Sequence, residues 1–354
     1  MKVVIRADAG SEIGTGHLMR CIALAQALQA KGHCVIFART GDTQSLSDRL
    51  RSESLSCIAL QSPRGSVDDA AETIGLARRA SATWIVLDGY HFGGSYQSTV
   101  KAAGLNLLVV DDKGDLGPYC ADIILNQNLH AAERMYEARE RGARLLLGPQ
   151  YALLRREFLA QRVKRWSCPE KPRNVLITLG GSDPHNYTQQ VVTAITRDVS
   201  FDFSVSVVVG GANRHWESIQ ATVSSYACVV KTKILRDVQD MSPLMAASDL
   251  AICSGGTGAL ELAFMGVPYL GLSQALQEAM LLQEADKKGI CTYLGDFGAV
   301  SAEALNNAVH RIADSRATRE AMVVRQQTLF DGLGADRIAQ AMSDSRMTLQ
   351  QAIS

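Results

Sequence analysis

His17 stands where a glycine-rich turn meets the start of a helix. The run Arg6-Ala7-Asp8-Ala9-Gly10-Ser11-Glu12-Ile13-Gly14-Thr15-Gly16-His17 follows an apolar opening, Val3-Val4-Ile5, and precedes a helical pattern from Leu18 to Leu28. Glycines let a backbone turn sharply and approach a ligand closely. A helix start supplies unpaired N–H groups and partial positive charge. That charge disfavours imidazolium, so a neutral His17 able to take a proton is expected. Neutral histidines at helix N-termini recur in catalytic sites. A histidine that only packs or caps a loop would have the same local sequence.

Two acidic clusters accompany it. Leu87-Asp88-Gly89-Tyr90-His91 and Val110-Asp111-Asp112-Lys113 each close an apolar run. Both fall at strand carboxyl ends, where parallel sheets bind their ligands. An Asp at a strand end also serves as a turn former or helix cap, and the convergence of several favours a polar site. No histidine or carboxylate spacing argues for a metal, and no metal or cofactor is expected.

The second half has its own glycine turns. Leu179-Gly180-Gly181-Ser182-Asp183-Pro184-His185-Asn186 follows the apolar run 175–179. Ser182 can bond a phosphate oxygen, or the turn can use these residues for geometry alone. In Ser254-Gly255-Gly256-Thr257-Gly258-Ala259-Leu260-Glu261 the run Leu250–Cys253 feeds a turn that opens a helix. Backbone N–H groups at such a start suit a diphosphate. Glu261 lies one turn on, on the side of Thr257, and can accept from two ribose hydroxyls. The dinucleotide fingerprint has a different spacing and a more distant acid, which disfavours a nicotinamide enzyme.

These residues need a scaffold that carries them to one rim. Val3–Ile5, Val35–Ala38, Trp84–Leu87, Leu107–Val110 and Ile123–Leu125 read as strands, separated by helix-length segments. A second series reads at 175–179, 204–209, 228–230, 250–252 and 269–272. Continuous apolar strands alternating with helices predict parallel sheets covered on both faces. The expected class is α/β, with two Rossmann-like doubly wound domains facing a cleft. Residues 1–153 would form the N-terminal domain, 154–173 a linker, 174–342 the C-terminal domain and 343–354 a polar tail that frays. The basic stretch 155–166 reads first as a solvated helix face.

Composition narrows the partners. The chain has 354 residues, zero formal net charge, and 47% apolar and 20% charged residues. A nucleic-acid partner normally leaves a basic footprint; none is present. The eight cysteines form no C-x-x-C pair, against a zinc ribbon or thioredoxin-like motif. The opening is too short for a signal-peptide core, and no run approaches the length of a membrane span. A cytoplasmic monomer without stable membrane association is expected.

Taken in order, the motifs resemble the UDP-2,4-diacetamido-2,4,6-trideoxy-β-L-altropyranose hydrolases of pseudaminic acid biosynthesis and their relatives in spore coat polysaccharide synthesis. The likeness is collinear over about residues 3–342. Besides the stretches above, it includes Leu125-Asn126-Gln127-Asn128, Gly148-Pro149-Gln150-Tyr151-Ala152-Leu153-Leu154-Arg155 and Asp331-Gly332-Leu333-Gly334-Ala335-Asp336-Arg337. It implies the glycosyltransferase-B architecture, as in the N-acetylglucosaminyltransferase that makes lipid II. It also implies hydrolysis of a UDP-linked diacetamido-trideoxy hexose to UDP and free sugar, with His17 as base and Tyr90 orienting sugar or water. Direct attack at the anomeric carbon would invert configuration.

The implied substrate-binding residues are Arg6, Asp8, Gly14, Gly16, Asp88 and Asp111 in the N-terminal half. In the C-terminal half they are Gly181, Ser182, Asn186, Val238, Gly255, Gly256, Thr257, Glu261 and Gln277. Within this set Gly255, Gly256 and Thr257 would hold the diphosphate, Glu261 the ribose and backbone near Val238 the uracil. Relatives often carry Asn-Gln where this chain has Leu276-Gln277, a departure that bears on sugar specificity and that Gln274 would have to offset. A glycosyltransferase with an acceptor alcohol in place of water, and a non-catalytic UDP-sugar binding protein, are the competing readings.

Overall fold

The structure is a computed structural model that describes residues 1–9, 15–41, 44–162, 168–197, 202–226 and 231–351. Gly14 and the expected strand at 228–230 lie outside the described residues. Met1–Arg156 together with Gly332–Ser354 form one compact unit, and Glu157–Asp331 a second.

In the first unit β1 (Lys2–Ala7), β2 (Cys34–Thr40), β3 (Ser56–Leu60), β4 (Trp84–Asp88), β5 (Asn106–Val110), β6 (Ile123–Asn126) and β7 (Arg144–Leu147) form a sheet in the order β3-β2-β1-β4-β5-β6-β7. Its pairings are parallel. The crossovers carry α1 (Gly16–Ala30), α2 (Gln44–Ser52), α3 (Val67–Arg79) and α4 (Gly94–Ala102). Central strands buried on both faces require continuous apolar sequence, and Trp84, Ile85, Val86 and Leu87 are fully buried. Register pairs Ala7 with Asp88 and Asp88 with Val110, so Asp8, Asp88 and Asp111 leave the sheet along one edge.

A short α5 (Arg156–Arg162) follows, within the stretch expected as a linker. The second unit holds β8 (Asn174–Thr178), β9 (Ser204–Val209), β10 (Thr232–Arg236), β11 (Leu250–Ser254), β12 (Tyr269–Ser273) and β13 (Thr292–Asp296), ordered β10-β9-β8-β11-β12-β13. These pairings too are parallel. Its helices are α6 (Tyr187–Arg197), α7 (Trp216–Ser225), α8 (Ser242–Ala246), α9 (Thr257–Met265), α10 (Leu276–Lys287), α11 (Ala302–Asp314) and α12 (Arg316–Leu329). Helix α9 stops at Gly266, whose φ of 66° admits the left-handed turn that returns its N–H to Ala263 and Leu262.

The final helix, α13 (Gly334–Gln351), differs from expectation. The C-terminal domain was expected to run to 342 and a frayed tail to follow. Instead Ala335, Ile338, Ala339, Ala341 and Met342 are buried in the N-terminal core with Leu18, Cys21 and Ile22 of α1. Their helical spacing makes one apolar stripe, and the face it covers belongs to the first unit.

Candidate functional site

The N-terminal site grows from α1 and the ends of β4 and β5. Thr15 precedes α1 without a side-chain cap bond, and no acid occupies the first turn. His17 and Arg20 are three residues apart and share a helix face. Both converge on Asp88, the last residue of β4. His17 Nδ1 lies 2.6 Å from Asp88 Oδ1. Arg20 donates from Nη2 to Oδ1 at 2.6 Å and from Nε to Oδ2 at 2.7 Å. The Cys21 thiol adds a bond to Oδ2 at 3.3 Å. Arg20 also reaches Asp112 Oδ2 at 2.8 Å, so one guanidinium ties two carboxylates.

Burial alone would raise the Asp88 carboxyl, but Arg20 and His17 override it and hold the group well below the usual carboxylate range. Asp112 is likewise lowered against its burial by Arg20. With Asp88 ionised, the natural role of His17 Nδ1 is donor, which leaves the lone pair on Nε2. Arg20 Nη2 is 3.0 Å from His17 Nδ1; both are donors, and both are satisfied by the same carboxylate oxygen. Tyr90 meets the His17 ring edge-on, with centroids 4.9 Å apart at 84°. Burial, then Asp112, push the Tyr90 hydroxyl above its usual range and keep it a neutral donor. Lys113 Nζ sits 3.6 Å from the Tyr90 ring centroid.

Other expected residues go elsewhere. Arg6 is fully buried and forks onto Asp69, from Nε and Nη2 at 2.9 Å each, while Nη1 reaches Asp8 at 2.6 Å. Asp8 Oδ1 also accepts from Thr40 N and Oγ1, and Oδ2 lies 3.2 Å from His91 Nε2. Arg6 and Asp8 thus form their own buried network. Asp111 accepts from the backbone of Lys113, Gly114 and Leu116 and from Tyr119 Oη, and so folds the turn after β5. Its neighbour Asp112 is the one that joins the His17 cluster. Gly16 opens α1. Arg20 and Asp112 were missed as site residues, although the spacing of Arg20 from His17 was a legible signal.

In the second unit Asp183 caps α6, accepting from Tyr187 N and Thr188 N at 2.8 Å each. That start is therefore satisfied by its own carboxylate. Ser182 is half-buried beside it, and Gly181 is pressed against Gly210, where a Cβ would lie 2.3 Å from Gly181 O. Asn186 turns back onto α6 and α7, donating to Gln189 Oε1 at 2.5 Å and Ser218 Oγ at 3.3 Å.

The start of α9 is different. Gly256 is its N-cap, with no side-chain cap bond. A Cβ at Gly256 or Gly258 would meet nothing within 4 Å, so the space on that side of both residues is open. Gly255 packs on α10, where a Cβ would lie 2.5 Å from Glu278 O. The Glu278 carboxylate accepts from Gln274 N at 2.7 Å. Its burial raises it above the usual carboxylate range, against the backbone N–H groups of Gln274 and Gly255. Thr257 begins α9 and Glu261 is buried one turn on. Val238 is half-buried after Asp237, whose φ is 48°. Gln277 is half-buried in the first turn of α10 beside the exposed Leu276, and the Gln274 amide is bonded to Leu179 O at 3.1 Å. Among the described residues, no group of three or more His, Cys, Asp and Glu side chains could hold a metal ion.

No family model matches the chain. It is 25% identical over 348 residues to the spore coat polysaccharide biosynthesis protein SpsG of Bacillus subtilis, covering 97% of this chain and 98% of that one. It is 25% identical over 293 residues to the UDP-2,4-diacetamido-2,4,6-trideoxy-β-L-altropyranose hydrolase of Campylobacter jejuni, covering 82% and 92%. The chain is a homologue of both. The family resemblance drawn from the motifs is thereby borne out. An uncharacterised protein of Methanocaldococcus jannaschii is 24% identical over 278 residues, and the match spans 77% of this chain but only 56% of that longer protein.

Solved structures agree on the fold. MurG of Acinetobacter baumannii superposes with a TM-score of 0.67 at 14% identity, covering 97% of this chain and 99% of that one. A UDP-N-acetylglucosamine 2-epimerase homologue from Listeria monocytogenes gives 0.69 at 14%, covering 98% and 97%. HepE of Anabaena, solved with UDP and glucose, gives 0.64 at 12%, covering 98% and 99%. The fold is the glycosyltransferase-B type with two Rossmann-like units, as expected. Among the described residues no helix is long and apolar enough to cross a membrane.

Proposed function

We propose that this chain hydrolyses a UDP-linked diacetamido-trideoxy hexose to UDP and free sugar, with His17 as general base. The observation that carries the reading is the Asp88–His17 pair at 2.6 Å beside Arg20. The ionised carboxylate fixes Nδ1 as donor and leaves Nε2 free to take a proton from water. As the proton arrives, Asp88 stabilises the imidazolium, and Arg20 keeps Asp88 ionised. Tyr90, a neutral donor at the edge of the ring, orients water or sugar. The UDP leaves with its charge on the uncapped start of α9, where oriented amides favour an anion. Ribose contact by Glu261 and uracil contact near Val238 complete the role of the second unit. The name of the Campylobacter homologue and the UDP bound to HepE support a UDP-sugar substrate.

Attack at the anomeric carbon places the water oxygen on the sugar and inverts configuration. The test is a proton NMR time course with the UDP-diacetamido-trideoxy sugar, for wild type and His17→Ala, in water labelled with heavy oxygen. Release of UDP and labelled sugar of inverted configuration, lost in His17→Ala, is the expected result. Label in UDP would mean attack at phosphorus. A glycosyltransferase reading draws on the fold shared with MurG, and turnover that appears only with an added acceptor alcohol would establish it instead.

A further inference from the structure

Asp88 and Tyr90 of the motif Leu87–His91 join the His17 cluster, but the histidine that ends the motif turns the other way. Its Nε2 lies 3.2 Å from Asp8 Oδ2. We propose that protonated His91 is a positioning residue: its imidazolium holds the turn Gly89–Phe92 onto Asp8 and so aims the Tyr90 hydroxyl. The use made of Tyr90 rests on the proposed hydrolysis; the anchor itself does not.

Three observations carry the anchor. First, Asp8 Oδ2 and His91 Nε2 are both buried, and neither has a hydrogen-bond partner among the described residues. Asp8 Oδ1, by contrast, accepts from Arg6 Nη1 and from Thr40 N and Oγ1. A contact of 3.2 Å without hydrogen-bond alignment is carried by charge. A neutral imidazole offers Oδ2 either an opposing lone pair or a misaimed N–H. An imidazolium attracts the carboxylate whatever the angle. Second, Asp8 is ionised. Burial alone would raise its carboxyl, but His91, Arg6 and Thr40 N hold it well below the usual carboxylate range. The other charged groups around the contact are already engaged. Arg64 Nε is 3.6 Å from Asp8 Oδ2 but donates to Thr40 Oγ1 at 2.9 Å. Arg6 forks onto Asp69.

Third, the turn depends on its side chains. Its closing bond, from Phe92 N to Gly89 O, is 3.5 Å long. His91 is seated closely on two glycines: a Cβ on Gly89 would lie 2.9 Å from its Cε1, and one on Gly65 would lie 2.4 Å from its carbonyl oxygen. Its ring also packs on Phe92, with centroids 4.1 Å apart. Tyr90 is the exposed tip of this turn. Its direction is therefore set at both ends, by Asp88 held on Arg20 and by His91 held on Asp8.

The experiment has two arms, both on the full chain. The first follows the ring signals of Tyr90 and His91 by NMR from about pH 5 to about pH 8, where histidines titrate. It uses His17→Ala, so that His17 cannot itself move the Tyr90 signals, with and without His91→Phe. The phenyl ring keeps the packing on Phe92 and removes the charge. Tyr90 signals should move with the His91 midpoint, and that movement should vanish in His91→Phe. Asp8→Asn removes the charge from the other side and should abolish the same movement, which covers the case in which His91→Phe does not fold. The second arm is UDP release from the UDP-diacetamido-trideoxy sugar. His91→Phe should lower kcat about tenfold, the worth of the Tyr90 hydrogen bond, and adding Tyr90→Phe should lower it no further. The wild type should lose the same factor as pH rises through the His91 midpoint, a limb absent from His91→Phe. Tyr90 signals indifferent to His91, movement that persists in the folded variants, or losses that multiply in the double variant would overturn the proposal. A wild type without turnover would remove the hydrolysis reading alone, and the first arm would still decide the anchor.

Discussion

Replacing Asp88 by Asn separates the tautomer argument from simple packing. The carboxylate accepts at Oδ1 from His17 and Arg20 Nη2, and at Oδ2 from Arg20 Nε and Cys21. A carboxamide keeps the shape but has one acceptor oxygen. Its NH2 group must face either His17 Nδ1 or Arg20 Nε. In the first case the imidazole proton moves to Nε2, the base is lost, and the NH2 group also opposes Arg20 Nη2. In the second, donor opposes donor inside a fully buried cluster. We expect kcat for UDP release to fall by about 10²–10⁴-fold, the usual worth of a general base. Breaking a buried pair by removing one partner costs about 3–5 kcal/mol. Arg20 retains Asp112, so a loss of about 3 kcal/mol in urea unfolding is expected. The pH dependence has a defined sign. A carboxyl held below its usual range stabilises the fold fully above the unfolded value of about 3.9 and loses that contribution as pH falls further. The wild type should therefore lose stability on acidification below about pH 4 more steeply than Asp88→Asn. A folded Asp88→Asn enzyme with kcat within about threefold of wild type, far short of the usual base contribution, would refute the assignment of Asp88 as the group that sets the His17 tautomer.

Three further outcomes are expected. Tyr90→Phe keeps the ring on His17 and removes the donor, so kcat should drop about tenfold, the worth of one hydrogen bond, with an unchanged melting curve; unchanged kinetics would remove the role. Gly255→Ala places a Cβ 2.5 Å from Glu278 O, which must shift the start of α9. Overpacking of about 1–3 kcal/mol and weaker UDP binding by calorimetry should follow, and undiminished affinity would argue against a diphosphate there. Arg319 is buried and donates to the carbonyls of Ile312, Ala313, Pro169 and Glu170. A lysine has one nitrogen and cannot fork across them, so Arg319→Lys should lower stability by about 2–4 kcal/mol in denaturant titration, from carbonyls left unpaired.

The parts of the fold that could be read from sequence were those buried on both sides. Trp84–Leu87 and Leu250–Ile252 are continuous apolar runs because they sit mid-sheet. The strands not anticipated, β3, β7, β10 and β13, are the edges of the two sheets. Ser56–Leu60 and Thr232–Arg236 are largely exposed or half-exposed, and an edge strand needs little apolar sequence. The acidic clusters were legible at strand ends, but not which acid does what: Asp111 and Asp112 are adjacent, and only the turn after β5 decides which one faces Arg20. Nor does the motif 180–186 show which of its side chains are used locally: the Asp183 carboxylate caps α6, and the Asn186 amide donates to Gln189 and Ser218.

The placement of α13 governs the order in which this protein can be made. Its apolar stripe closes the core behind α1, yet it is translated only after the entire second unit. On the ribosome the second unit is contiguous and can complete its own core first. The half that carries His17 must wait with the face of α1 uncovered, a stage at which exposed apolar surface invites chaperones or aggregation. Assembly of the first unit is thus tied to completion of the second, so an interrupted chain would not yield a finished His17 cluster.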